Sequence, residues 1–537
     1  MPNYRLEYFK NDLISGITVA IMLIPQGMAY ALIAGLPPIY GLYAALTPQI
    51  VYAFLGTSKQ LAVGPVAMDS LLVAAGLGAL SIVGPSQYIQ MALLLALLMG
   101  VIQFLLGLLR MGFIVAFLSK PVISGFTSAA AIIIGLNQIK HILGISIPQS
   151  NKIHIFISLI INSQTQINFY ALVIGLISIL LLVVIKKCNS KIPSALVVVI
   201  MSIFCVSYAN YDQKGLAIVG EIPDGLPNFV FPFLEWDIIK SLLPISLTIA
   251  LVGFMEAISI AKSIEEKNKT DEINPNQELI ALGASNIIGS FFQSYPTSGG
   301  FSRTAVNNQS GAKTGVSALI SAIIVGVILS FFTDWFYYLP NAVLGAIIIV
   351  AVTNLIDYKY TFGLYKERKD EFFVLIFTFI GTLFIGITEG ILFGIILSLL
   401  LLVYRTSKPH YAFLGRIGTT NYFKNIDRFP DEVILRDDLI ILRFDAQLFF
   451  GNIQFFKNLI FDSVNNNHKK VKGYIINART INYIDSTALE KLTEIIIELQ
   501  KKGIRVMVVG ATGPTRDMII KSKLIKVLKK GNLFITS

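Results

Sequence analysis

The sequence predicts a polytopic α-helical membrane protein of fourteen spans, arranged as a seven-plus-seven inverted repeat and followed by a small cytoplasmic α/β domain. Three observations predict it. The chain has 537 residues, 54% hydrophobic and only 14% charged, with a mean hydropathy of +0.70. Apolar stretches matched to the roughly 30 Å of hydrocarbon in a bilayer recur from the N-terminus to Tyr404. Beyond Tyr404 the texture changes to short β-branched runs alternating with amphipathic stretches.

Taken in order, the candidate spans lie near 14–34, 38–56, 65–82, 88–109, 122–139, 167–185, 192–208, 242–261, 278–292, 299–312, 315–332, 340–356, 372–386 and 389–404. A full crossing needs about 20 apolar residues, so the third and tenth read as half-spans. Arg5 and Lys10 precede the first apolar run as they would in a signal peptide. No small-residue cleavage site follows and the run continues past Leu36, so it is an uncleaved span, with its helix broken at Pro25-Gln26. With the N-terminus inside, inward connections hold about 18 Lys/Arg, among them Lys186, Lys187, Lys191, Lys366, Arg368 and Lys369. Outward connections hold about 4, namely Lys140, Lys152, Lys214 and Lys240, which places both termini in the cytoplasm.

In the tail, Asp438 to Phe444, Gly473 to Ala478 and Arg505 to Val509 read as strands, and 451–464, 486–501 and 513–529 as amphipathic helices. Strands alternating with helices make an α/β domain. The expected division is a membrane domain over 1–409, with repeats about 1–210 and 240–409, a linker over 410–429 and the α/β domain over 430–537. Most of the net charge of +11 lies in residues 410–537. That excess reads as a solvated surface, with contact to anionic lipid as the alternative, and nothing points to nucleic acid. Cys188 and Cys205, both in or beside the seventh span, give no structural disulfide and no metal-ligand spacing. His141, His154, His410 and His468 are scattered in loops or the tail, so no enzyme constellation is visible and no cofactor is implied.

A repeat with an odd number of spans inserts its second copy upside down, and two interrupted segments occupy the third position of each seven. They are Leu61 to Ser70 (LAVGPVAMDS) and Gln293 to Asn307 (QSYPTSGGFSRTAVN). A half-helix that begins at membrane depth leaves its first N–H groups unpaired and turns its positive end toward an anion. Gly64-Pro65 suits one such start, because proline at the first helical position loses no hydrogen bond. Ser298-Gly299-Gly300 suits the other, with glycines that admit a ligand to the backbone and serines that donate hydrogen bonds. Arg303 follows in its first turn, and an arginine in the membrane costs at least a few kcal/mol, which makes it a functional-site candidate. Gln26 and Tyr30 in the first span either line the same cavity or serve as helix-packing glue.

Two carboxylates complicate this cradle. Glu256 interrupts the eighth span, and Asp69 lies one turn past Pro65. Arg303, Glu256 and Asp69 all ionised around one cavity leave a net negative charge, which repels an anion. One carboxylate is then protonated, neutralised by a cation such as Na⁺ near Glu256, or paired elsewhere. The expectation is co-transport of a proton or sodium, against the alternative of a permanent Arg303–Glu256 ion pair.

At these residues the chain resembles the sulfate permease (SulP) family of inorganic anion transporters, related to the animal SLC26 proteins. IPQGMAYA at 24–31, AVGPVA at 62–67 and GGFSRTAVN at 299–307 carry the likeness, and a tail of STAS type (sulfate transporter and anti-sigma-factor antagonist) completes it. The resemblance implies an inverted repeat split into core and gate domains, assembled as a homodimer, with substrate between the third and tenth half-helices. It makes Gln26 and Tyr30 wall residues, Val66 and Ala67 the backbone at the third helix start, and Phe301, Ser302 and Arg303 the tenth-helix contributors. Glu256 falls at the position associated with cation coupling in symporting relatives. Val66 stands where some channel-like relatives carry a large aromatic, and Asp69 is less general in the family. In the tail, Ile484-Asp485-Ser486-Thr487 matches the loop that the antagonists use for phosphorylation, which makes Ser486 and Thr487 candidate regulatory sites. Thr487 with Glu490 also reads as a capping box, the favoured reading, since Ala488 replaces the antagonists' glycine.

The expected function is secondary active transport of a small inorganic oxyanion, sulfate first, in the plasma (bacterial inner) membrane. A sodium-coupled bicarbonate importer is the alternative, followed by a passive anion channel or dicarboxylate carrier of the same fold. A membrane-tethered regulator that works through its STAS domain, with a cytoplasmic protein as partner, is a third class.

Overall fold

A computed structural model describes residues 4–78, 80, 84–113, 119–145, 158, 167–188, 193–232, 234–268, 272–467 and 470–534. His154, His468, Lys152 and Lys191 lie outside the described residues. The chain divides into two compact units, Met1–Ser398 and Leu399–Ser537.

In the first unit α1 (Phe9–Ile33), α2 (Pro38–Ala44), α3 (Thr47–Leu55), α4 (Ala67–Gly78), α5 (Pro85–Leu108), α6 (Lys120–Leu143), α7 (Phe169–Cys188) and α8 (Ser194–Ala209) come from the first half. From the second half come α9 (Trp236–Asn268), α10 (Pro275–Phe291), α11 (Phe301–Gln309), α12 (Val316–Phe331), α13 (Asn341–Val352), α14 (Tyr358–Glu367), α15 (Lys369–Phe384) and α16 (Ile387–Ser407), whose residues from Leu399 onward fall in the second unit. Every expected span therefore holds a helix, and the second holds two, α2 and α3. Among the described residues six helices are long and apolar enough to cross a bilayer alone. Ala67–Gly78, Ser194–Ala209, Val316–Phe331 and Asn341–Val352 are apolar but shorter.

The first span departs from expectation. Pro25 does not break the first span, because α1 runs through it from Phe9 to Ile33. Proline removes one N–H, leaving the Ile21 carbonyl without its usual helical donor, and packed membrane helices tolerate that loss. Packing around this point is close: α1 and α2 touch backbone to backbone at Gly27 and Gly41, where any side chain would collide. Cys188 and Cys205 are free and exposed.

Both interrupted segments take the same form, a two-residue strand leading into a short helix. β1 (Val63–Gly64) precedes α4, and β2 (Ser298–Gly299) precedes α11. The strands pair antiparallel, Val63 with Gly299 and Gly64 with Ser298, as equivalent parts of an inverted repeat would. α1 packs against both α4 and α11, and α9 packs against α4, β2 and α11.

The second unit builds a sheet in the order β4 (Phe423–Asn425), β3 (Tyr411–Ile417), β6 (Leu439–Phe444), β7 (Gly473–Asn477), β8 (Arg505–Val509), β9 (Leu533–Phe534), with β5 (Val433–Ile434) paired to β3. Strands β6 to β9 run parallel, and β3 is antiparallel to its neighbours. β3 and β4 fall within 410–429, so the stretch expected as a linker is part of the sheet. Helices α17 (Ile453–Asn465), α18 (Ser486–Lys501), α19 (Gly513–Lys521) and α20 (Leu524–Leu528) bury Phe456, Ile460, Leu492, Ile495 and Leu528 with Phe444 and Ile476 of the sheet. Tyr474 is buried among them, and burial pushes its phenol up while the Ser463 hydroxyl at 3.1 Å offers it a polar partner.

The cap of α18 also differs from expectation. Asp485 is the N-cap: its carboxylate accepts from Ala488 N at 2.7 Å and from Phe450 N at 2.9 Å. The capping box expected of Thr487 and Glu490 is displaced because the helix starts two residues earlier, at Ser486, where the charged oxygen of Asp485 takes the Ala488 donor. Ser486 and Thr487 are both exposed.

Candidate functional site

Polar side chains fix the two broken segments to each other before any ligand is considered. Gly300 N donates to Ala62 O at 3.0 Å, extending the β1–β2 pairing by one bond. Ala62 N donates to Thr304 Oγ1 at 3.0 Å, and Asn307 Nδ2 donates to Gln60 O at 2.9 Å. Behind β2, Asn286 of α10 accepts from Thr297 N at 2.8 Å and donates to Thr297 O at 2.9 Å. Irregular backbone at membrane depth must be satisfied internally, and these side chains do so. They also spend the polar groups that would otherwise be candidates for ligand contact.

What remains unspent clusters at the helix starts. Arg303, the third residue of α11, is only 2% exposed, and its Nε and Nη2 have no hydrogen-bond partner. Its guanidinium folds back over Gly300: a methyl on that glycine would sit 2.5 Å from Nη2. A methyl on Gly64 would sit 3.6 Å from the same nitrogen. The arginine therefore lies between the two helix starts, and α11 has no side-chain cap on its first turn. The uncapped first turn of α11 and a guanidinium with unused nitrogens lie together at this helix start, which suits an oxyanion.

Around the arginine lie Tyr30 of α1, Glu256 of α9 and Tyr295 of the loop before β2, all within electrostatic reach of it. Glu256 lies in turn within electrostatic reach of Asp69. Asp69, in the first turn of α4, is fully buried, and its polar neighbour is the Ser298 hydroxyl. Gly253, one turn before Glu256, lets α9 come this close: a methyl there would lie 3.4 Å from Asp69 Oδ1 and 3.3 Å from Ser298 Cβ.

Most of the expected residues are thus brought together. Gln26 and Tyr30 are each 8% exposed and one turn apart on α1, the helix that packs against α4 and α11, and Gly27 abuts Pro65. Gly64, Pro65, Val66 and Ala67 are buried at the start of α4. Phe301 and Ser302 differ, being exposed at the tip of α11 while Arg303 turns inward. Ser486 and Thr487 belong to the other unit. Sequence reading missed Tyr295, whose hydroxyl lies 3.0 Å from Ser70 Oγ, and Gly253. The signal for Tyr295 was its place inside the QSYPTSGG interruption, and for Gly253 its i, i+3 spacing to Glu256.

The comparisons with known proteins place the chain in a family and attest its fold. The profile of the Sulfate permease family matches residues 9–378, and that of the STAS domain matches residues 432–536. Sulfate transporter 4.1, chloroplastic, of Arabidopsis thaliana is 39% identical over 98% of this chain and 79% of its own length. High affinity sulfate transporter 2 of Stylosanthes hamata is 32% identical over 99% of this chain and 84% of its own. The murine Solute Carrier 26 family member A9 anion transporter, in its inward-facing state, superposes with a TM-score of 0.92 at 24% identity, covering 100% of this chain and 92% of that one. The transmembrane domain of a cyanobacterial bicarbonate transporter, BicA, gives 0.64 at 23% identity over 74% of this chain and 98% of that one. These two solved structures attest the fold. With its membrane and C-terminal profiles both matched, this chain belongs to the sulfate permease family of multi-pass anion transporters and carries a STAS domain.

Proposed function

We propose that the chain is a secondary active transporter of sulfate, coupled to entry of a proton or Na⁺ and working by alternating access. One observation carries the reading: Arg303 is buried between two helix starts with guanidinium nitrogens that no protein group uses. Leaving such a cation unpaired is costly unless something binds there. Sulfate meets the need twice over, because it is a dianion and offers four acceptor oxygens to a guanidinium and backbone N–H groups. The relatives named as sulfate transporters, at 31–39% identity, support the same substrate. In this reading Gln26, Tyr30 and the backbone of Gly64 to Ala67 and Gly300 to Ser302 wall the site. Glu256 and Asp69 answer the anion with cation charge. Fourteen spans in two inverted sevens, split into core and gate, two copies per assembly, both termini in the cytoplasm and residence in the plasma membrane complete the proposal. The STAS domain offers a surface for a cytoplasmic regulatory partner, with Ser486 and Thr487 exposed on it.

Radiolabelled uptake into proteoliposomes tests it, comparing sulfate with bicarbonate under imposed proton and Na⁺ gradients. The expected result is sulfate accumulation above equilibrium with one of the two gradients. Bicarbonate accumulation without sulfate uptake replaces the substrate, and uptake that never exceeds equilibrium replaces the transporter with a channel.

A further inference from the structure

We infer that α14 is an interfacial helix that binds an anionic phospholipid headgroup through Lys359 and Lys366 while its aromatic side lies among the acyl chains. The inference goes beyond the transported anion and stands whatever that anion is.

α14 (YKYTFGLYKE) joins two apolar helices, α13 and α15, and is itself too short and too polar to cross a bilayer. Its limits are fixed locally: the Asp357 carboxylate accepts from Tyr360 N at 3.0 Å, and Arg368 leaves the helical conformation before α15 begins. Successive residues of a helix are turned by about 100°, which brings Tyr358, Phe362 and Tyr365 within about 60° of one another. All three are exposed, at 61%, 68% and 53%. Lys359 and Lys366 stand together about 90° around the helix from this stripe and are exposed as well. Leu364, toward the opposite side, is buried. An apolar stripe flanked by lysines is the pattern of a helix that lies in the plane of the membrane surface.

The neighbouring helix says what covers the stripe. Tyr365 meets Phe372 with ring centroids 5.1 Å apart, Phe372 meets Phe373 at 6.0 Å, and Phe373 meets Phe377 at 6.5 Å. Phe373, Phe377, Ile380 and Phe384 then run along one exposed side of α15 at helical spacing. On an apolar helix of a multi-pass membrane unit such a side faces acyl chains. The aromatic ladder carries that surface onto α14 at the depth where tyrosine and lysine anchor a protein to the interface.

Charge selects the headgroup. The carboxylates near α14 are set away from its stripe: Asp357 is spent on the N-cap, Glu367 lies on the opposite side, and Asp370 and Glu371 open α15. Asp357 and Glu371 both act on the Tyr360 phenol, over whose ring Lys120 Nζ stands 4.4 Å from the centroid. Lys359 and Lys366 are thus the charges beside the lipid-facing stripe, with Arg368 and Lys369 following on the side assigned to the cytoplasm. Lysine stems run along apolar surface and deliver their ammonium groups to headgroup level, where a phosphodiester accepts from both.

The test puts a fluorescent reporter on the stripe. Full-length protein carrying Phe362→Trp, with Trp236→Phe and Trp335→Phe removing the two native tryptophans, is reconstituted into bilayers containing brominated phosphatidylglycerol or brominated phosphatidylcholine at equal mole fraction. Bromine quenches tryptophan at short range, so the two quenching curves give the relative occupancy of the lipids beside α14. Both lipids are expected to quench, with phosphatidylglycerol favoured about fivefold or more, the scale for one basic residue at an anionic surface. Lys359→Gln with Lys366→Gln should bring that preference to about one while quenching by phosphatidylcholine persists. Equal occupancy in the protein with both lysines overturns the inference, as does a preference that survives their loss. A reporter that neither lipid quenches also overturns it and shows the stripe covered by protein. Glycerol phosphate added to the aqueous phase should leave the preference intact; if it abolishes the preference, the lysines take a free phosphate ester and the lipid assignment falls. All three aromatic positions changed are exposed, and Tyr358→Trp reads the same stripe if the Phe362 variant fails to fold. None of these readouts depends on transport, so failure here leaves the proposed function standing.

Discussion

Glu278 and Asp12 are buried as completely as Asp69, yet the fold treats them in the opposite way. Glu278 accepts from Tyr52 Oη at 2.7 Å, Thr57 N at 2.7 Å, Thr57 Oγ1 at 2.6 Å and Ser58 N at 3.2 Å. Asp12 accepts from Lys313 N at 2.7 Å, Thr314 N at 3.1 Å and Thr314 Oγ1 at 2.6 Å. Each clamps a loop beside a broken segment, and the charge of each is met by donors fixed in the protein. At the strand crossing the reverse holds: Arg303 keeps Nε and Nη2 unspent, and Asp69 has a single hydroxyl, that of Ser298, beside it. A fold that can satisfy one buried carboxylate with four donors shows that the empty valences at the crossing are a property of the site. Buried polar groups without partners are rare and call for an explanation, and a mobile ligand supplies one.

The contrast can be broken most directly at Arg303. Arg303→Ala should lower sulfate uptake about 100-fold or more, the scale for removing one member of a buried charge interaction, while the purified protein keeps its melting temperature. Loss of folding together with transport would put Arg303 in the same structural class as Glu278. Glu278→Ala should act conversely, destabilising the membrane unit by about 3–5 kcal/mol because buried donors lose their acceptor. Thermal unfolding in detergent reads this out, and Glu278→Gln, which keeps one carbonyl acceptor, should recover much of the loss. The smallest effect belongs to the other unit. Asp485→Ala should cost about 1 kcal/mol as a lost N-cap, and Thr487→Ala should stay within about 0.5 kcal/mol as a surface change. Equal effects would restore the capping box to Thr487.

How much of this was legible beforehand depended on whether a residue's role is local. The interruptions at Leu61 to Ser70 and Gln293 to Asn307 stood out because glycine, proline and charge are anomalous in an apolar stretch, and both became strand-then-helix units. Arg303, Glu256 and Asp69 were legible for the same reason. Pro25 was misread because a proline inside a packed membrane helix is tolerated when neighbours hold the chain in line, and those neighbours are distant in sequence. Asp485 and Thr487 are both good N-cap types two residues apart, and only the contact from Phe450 N, thirty-five residues away, decides between them. Tyr295 and Gly253 escaped notice because nothing local shows that one meets Ser70 and the other meets Asp69. The strands at 411–417 and 423–425 were taken for a linker because their pairing partners lie farther along the chain.

The antiparallel join of β1 and β2 also has a mechanical meaning. Its backbone pairs, with Ala62 held to Thr304 and Gln60 held to Asn307, rivet the two helix starts into one piece. A motion that pulled them apart would have to break several buried hydrogen bonds at once, at about 1–3 kcal/mol for each group left bare. The cradle is therefore too stiff to serve as its own door. Under the proposed alternating access, the movement that turns it from one side of the bilayer to the other must carry both helix starts as a single cargo hold, with the sliding surfaces located elsewhere in the helix bundle.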